Sequence, residues 1–172
     1  FEASIDALRM DEYDGIMVAP IFLRESQELV RILEEHGKPY VMINTMAEQT
    51  SDLLVCYVGP DAYQSGRLAA RLLSLHCTPG AEVMMIPLEK NFLNAFHMVE
   101  KERGFRDRFD EIAPGVEVLT CEFELYDDPK ELAIFLSSHV KAHTNLKGIY
   151  TSASRINRIA SYFDLVDINH IK

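Results

Sequence analysis

The 172-residue sequence contains no run approaching the ~18 consecutive apolar residues that a membrane-crossing helix needs. Phe1 does not open a signal peptide, and the chain lacks an initiator Met. No GxGxxG or GxxxxGK loop is present, which argues against a nucleotide-handling Rossmann or P-loop enzyme. No GxSxG elbow surrounds Ser65 or Ser152, so neither reads as a hydrolase nucleophile. There is no HExxH, and the six histidines form no ligand spacing with one another or with cysteine, so no metal site and no cofactor are expected.

Basic residues are also scarce. Lys and Arg number 17 against 27 Asp and Glu, giving a net charge of −10 spread along the chain. A duplex-binding surface needs clustered cations to displace phosphate counterions. The nearest candidate, Lys101 to Arg108, alternates acids with bases and reads as a solvated helix face. Nucleic-acid binding by these residues themselves is therefore not expected. Cysteine is sparse and odd in number: Cys56, Cys77 and Cys121, with no CxxC. Free buried thiols in a reducing compartment fit that usage, and a cytoplasmic location is expected.

What is present is an ordinary globular balance, 48% hydrophobic and 26% charged, in alternating strand-like and helix-like segments. Ile16–Ala19, Pro39–Asn44, Leu53–Val58, Glu82–Pro87, Val116–Phe123 and Gly148–Thr151 are short, largely apolar runs, the pattern of parallel strands covered on both faces. Between them Ser26–His36 reads as an amphipathic helix stopped by Gly37, and Asn91–Phe109 as a long helix. Lys130–Ala142 reads as a helix with Asp128 as N-cap and Pro129 in its first turn. Arg155–Phe163 follows as another. Residues 1–10 read as the tail of a helix and 168–172 as the approach to a further strand. The pattern predicts an α/β fold with parallel sheets and right-handed crossovers. A lobe boundary is expected at Thr78-Pro79-Gly80.

The chain turns on Val55–Leu73, where an apolar strand breaks at Gly59-Pro60 and a helix begins behind Asp61. Asp61 reads as an N-cap carboxylate, and also as a binding residue, because ligands of open α/β sheets sit beyond the carboxyl ends of strands. Asn94, His97 and Lys101 fall at i, i+3 and i+7, a polar stripe that could offer donors to a hydroxyl-rich or anionic ligand or could be plain solvated surface. Phe123 could stack on a sugar face or belong to the core. The acid pairs Asp127-Asp128 and Glu122/Glu124 read as a turn and an exposed strand face, so no catalytic residue is assigned and no enzyme is expected.

Asp14-Gly15-Ile16 with Pro20, Gly37-Lys38-Pro39-Tyr40-Val41, Val58-Gly59-Pro60-Asp61 with Gly66-Arg67-Leu68-Ala69-Ala70, and Arg103-Gly104-Phe105 occur in the order that resembles the LacI/GalR family of bacterial transcription regulators. The resemblance covers essentially the whole chain and concerns the effector-binding domain, which has the type I periplasmic-binding-protein fold. It implies two α/β lobes, incomplete at both ends here: residues 1–76 as part of the first and 77–172 as most of the second. It further implies a sugar-like effector bound in the inter-lobe cleft, hinge closure as the switch, a homodimer, and operator DNA bound through a helix-turn-helix not present in this chain. Asp61 matches the family's cleft residue after the last first-lobe strand, and Phe123 its ligand-packing aromatic. Lys101 stands where the family usually has Arg, keeping the charge but losing the bidentate fork. The usual Asn-Asp clamp falls at Ser152-Ala153, leaving Ser152 as the candidate at that place. The alternative is an extracytoplasmic sugar-binding protein of a transport system, which would share the fold.

Overall fold

The structure is a computed structural model that describes residues 12–89, 92–123, 127–153, 155–163 and 171. The helix tail expected over residues 1–10 and most of the expected approach to a strand at 168–172 lie outside the described residues. Two compact units emerge: residues up to Asp61 together with Leu93–His97, and Ala62–Phe92 together with the chain from Met98 onward.

In the first unit, β1 (Ile16–Val18), β2 (Tyr40–Ile43) and β3 (Leu54–Val58) form a parallel sheet in the order β1-β2-β3. The helix α1 (Leu23–Glu35) lies between β1 and β2 in sequence and buries Leu29, Val30 and Leu33 in a cluster with Tyr40, Met42 and Ala47. Its end is set as the sequence implied. Gly37, at φ 60, donates its N–H to the Glu34 carbonyl, and Lys38 donates to Leu33, the paired closure of a Schellman turn. Its start lies earlier than the expected Ser26, because the N-cap residue Phe22 offers no side-chain acceptor and the missing cap comes from far along the chain, as described below.

The first sheet departs from the expectation of two covered faces. Met17, Val41 and Cys56 share one register row, Ile43 and Val58 another, and on that face Met17 and Val58 are 69% and 63% exposed. Among the described residues, α1 covers only the opposite face. Cys56, expected to be buried, is consequently exposed; Cys77 and Cys121 are partly buried and all three thiols are free.

The second unit holds β4 (Glu82–Met85), β5 (Glu117–Thr120) and β6 (Leu146–Tyr150), parallel in the order β5-β4-β6. Here helices do cover both faces. Val83 packs with Ala70, Phe105 and Phe109 from α2 (Ala62–Ser74) and α3 (Phe96–Ile112). Its neighbour Met84 points to the opposite cluster, with Leu136 of α4 (Pro129–Ala142) and Ile159 of α5 (Ile156–Phe163). Alternate residues of one central strand thus serve two cores. As expected, Asp128 caps α4, its carboxylate accepting from Lys130 N–H at 2.8 Å, with Pro129 in the first turn.

The helix α2 packs within the second unit, whereas the sequence reading drew the lobe boundary after it. The reason is a pair of reciprocal glycines. A Cβ on Gly66 would stand 1.9 Å from the Lys101 carbonyl oxygen, and one on Gly104 would stand 2.1 Å from that of Tyr63. Two helix backbones come this close only where side chains are absent. Around the contact, Tyr63 Oη donates to Asp107 at 2.8 Å, and Arg67 makes a two-pronged pair with Glu111, both bonds 2.8 Å. Replacing a helix glycine by alanine normally gains about 1 kcal/mol in propensity. Here the overlap with backbone reverses the sign. Gly104→Ala should cost about 1–3 kcal/mol, read as a fall of roughly 3–10 °C in the thermal midpoint, whereas Gly80→Ala leaves the α2–α3 contact untouched.

Candidate functional site

In the first unit, β2 and β3 end in polar loops. Asn44 takes a left-handed conformation, φ 63, tolerated by this short amide side chain, and its N–H donates to the Val58 carbonyl at 2.9 Å. Thr45 follows, 3% exposed, and its Oγ1 has no hydrogen-bond partner among the described residues. A buried hydroxyl without a partner is costly and uncommon, and it marks a place where a ligand group fits. The sequence reading missed Thr45; its only signal was a polar pair, Asn44-Thr45, directly after an apolar strand. Asp61 is exposed and stands in the N-cap place immediately before Ala62. The Tyr57 hydroxyl lies 2.8 Å from the Pro60 carbonyl and 3.2 Å from that of Asn44, tying the ends of β2 and β3 together. Burial, and then the nearby Asp61 carboxylate, hold the Tyr57 phenol above its ordinary pKa.

The expected Asn94–His97–Lys101 stripe is not one helix face. Phe92–Asn94 forms a separate 3-10 turn, Ala95 interrupts, and α3 starts at Phe96. Asn94 is engaged by α1: its Oδ1 accepts from Arg24 N–H at 3.2 Å and its Nδ2 donates to Glu25 at 3.1 Å. It is the cap that α1 lacks locally. His97 lies in the first turn of α3 and is partly buried.

The second unit brings two of the sequence candidates into direct contact. Lys101, one turn further along α3, donates from Nζ to the Ser152 carbonyl at 3.1 Å, and burial holds its ammonium below the ordinary lysine pKa. Ser152 lies two residues beyond the end of β6 and is 7% exposed, with Oγ lacking a partner among the described residues. Phe123 lies three residues past β5, where the sequence reading had extended the strand. It is partly buried, and its ring stacks on Phe135 of α4 with centroids 4.4 Å apart, so at least one of its faces belongs to the core. Leu88, beyond β4, is fully buried at φ 49, a strained conformation for a residue with a γ-branched side chain.

A cavity of about 310 Å3 lies by α4 and α5, lined in part by Leu132, Ala133, Asn157 and Tyr162. Two of its polar side chains are already partnered, Asp127 with Arg158 at 2.6 Å and Tyr162 with Ser137 at 2.8 Å. The unpartnered hydroxyls sit instead at the carboxyl ends of β2 and β6. Among the described residues, no group of three or more His, Cys, Asp or Glu is placed to hold a metal ion.

This arrangement agrees with the comparison to known domains, in which the periplasmic binding protein domain matches residues 1–164. The chain belongs to the periplasmic binding protein domain family. Similar solved structures include a candidate LacI transcriptional regulator from Bacteroides fragilis, 24% identical with a TM-score of 0.81, covering 96% of this chain and 56% of that one. GanP, a glucose-galactose binding protein from Geobacillus stearothermophilus, is 25% identical with a TM-score of 0.73, over 95% of this chain and 55% of its own. An ABC transporter solute-binding protein from Burkholderia graminis, solved with D-arabinose, is 20% identical with a TM-score of 0.74, over 94% and 54%. The chain therefore spans about half the length of the solved structures it matches. No protein of curated function matches the sequence.

Replacing a partnerless buried hydroxyl by an apolar group is neutral or stabilising. Ser152→Ala and Thr45→Val should therefore hold or raise the thermal midpoint of the ligand-free domain. Asn94→Ala should lower stability by about 1 kcal/mol in urea unfolding, the cost of a lost cap. A clear loss of stability in Ser152→Ala would show that its hydroxyl serves the fold.

Proposed function

We propose that the chain is the ligand-sensing region of a LacI-type transcription regulator, binding a sugar or sugar derivative at the carboxyl ends of its strands. The observation that carries the binding reading is the pair of buried, partnerless hydroxyls, Thr45 Oγ1 and Ser152 Oγ, each just past a parallel strand. Parallel strands expose their ligand-facing loops at that end. Asp61, His97, Lys101, Phe123 and Ser152 are the residues proposed to contact the ligand, with Asn94 acting through the position of α1. The regulator reading draws on the motif resemblance and on the fold of the Bacteroides fragilis protein. Under it the parent protein is a cytoplasmic homodimer that binds operator DNA through a separate helix-turn-helix, and the ligand alters that affinity.

A second reading, an extracytoplasmic binding protein serving a transporter, is favoured by the likeness to GanP and to the arabinose-bound solute-binding protein. The reading frame upstream of Phe1 separates the two. A basic helix-turn-helix of about 20 residues supports the regulator; a basic stretch, an apolar run and a small-residue cleavage site support the exported protein.

Binding itself is tested by thermal unfolding with a panel of pentoses and hexoses. A ligand at 100 times its Kd should add about 2.7 kcal/mol, a rise of roughly 5–10 °C for a chain of this size. Asp61→Ala should reduce that rise; an undiminished rise removes Asp61 from the site.

A further inference from the structure

The second unit carries a half-buried cation without an anion. Lys101 is flanked by Glu100 and Glu102, and both are committed elsewhere, to Arg103 at 2.7 Å and to Arg106 at 2.9 Å. Glu102 also accepts from Thr120 Oγ1 at 2.7 Å. Among the described residues no carboxylate pairs with Lys101, whose Nζ meets only the neutral carbonyl of Ser152. Ser152 is itself 7% exposed and keeps its Oγ without a partner.

The chemistry of this pair is specific. An ammonium offers three donors and no acceptor, and the hydroxyl of the serine whose carbonyl it meets can donate a further bond. A neutral sugar hydroxyl would occupy a donor but leave the partly desolvated charge uncompensated. A carboxylate would meet both needs, since it is an acceptor only and brings the opposite charge, the combination that makes an ammonium–carboxylate bond short and strong. Resting on the sugar-binding reading above, we propose that the ligand is a sugar acid whose carboxylate is held by Lys101 Nζ and Ser152 Oγ. A phosphate ester fits less well. It brings a charge of about −1.5 to −2 against one lysine, in a chain of net charge −10.

Isothermal titration of the 172-residue chain tests this, using glucuronate, galacturonate and the corresponding aldonates, the parent glucose and galactose, and glucose 6-phosphate. A sugar acid should bind at least ten times more tightly than its neutral parent, less so as salt rises. Lys101→Met should weaken the acid by roughly 10- to 100-fold, the range for a lost hydrogen bond to a charged group, and the neutral parent far less. Lys101→Arg should retain the preference. Should the methionine variant fail to fold, the comparison of acid with parent on the unmodified chain still decides. A neutral sugar binding as tightly as its acid overturns the proposal and leaves the sugar-binding reading standing. A phosphate ester binding tightest overturns the choice of carboxylate. No binding by any sugar of the panel overturns the sugar-binding reading and this proposal with it.

Discussion

The close approach of α2 to α3 is the constraint on which the second unit depends. Gly66 abuts the carbonyl of Lys101, and Gly104 abuts the carbonyl of Tyr63, so each helix is keyed to the other by backbone rather than by interchangeable side chains. The contact fixes the axial position of α3, and with it the height at which Lys101 leaves the helix. From there Nζ reaches the Ser152 carbonyl at the end of β6. A lysine on a loosely packed surface helix would keep its ammonium in water. This one is partly desolvated because the helix that carries it cannot retreat.

Both sheets share one economy. Their strands are short and apolar, and the polar groups are deferred to the loops just past the carboxyl ends. Polar side chains on the strands, turns and helices around them are paired within the protein. Tyr57 bridges two carbonyls, Asn94 caps α1, and Arg106 holds β5 to α3 through the Val118 carbonyl. Against that background the partnerless hydroxyls of Thr45 and Ser152 stand out, since a buried polar group without a bond costs about 1–3 kcal/mol. Site residues are where a protein tolerates such costs.

Much of the fold was legible because its signals are local. Gly37 closes α1 with a left-handed residue, Asp128-Pro129 opens α4, and the apolar runs mark the strands; each depends on neighbours a few residues away. The site was less legible. A polar stripe at i, i+3 and i+7 assumes one continuous helix, and Ala95 breaks the one supposed to carry Asn94. Cys56 reads as buried from its apolar neighbours. Its exposure depends on which sheet face a helix covers, a long-range matter that no window of residues contains. Thr45 went unseen because a threonine after a strand is commonplace until its burial and lack of a partner are known.

By itself, then, the sequence determined the α/β class, the order of strands and helices along the chain, the Gly37 stop of α1 and the Asp128 cap of α4, because hydrophobic period and turn residues are written along the chain. The tertiary structure alone decided that α2 packs with the second unit, that Asn94 serves α1 across 70 residues of sequence, and that Lys101 meets Ser152. These outcomes rest on contacts between distant segments. Such contacts are set by how closely backbones can approach and by which polar atoms are left to be satisfied once the cores have closed.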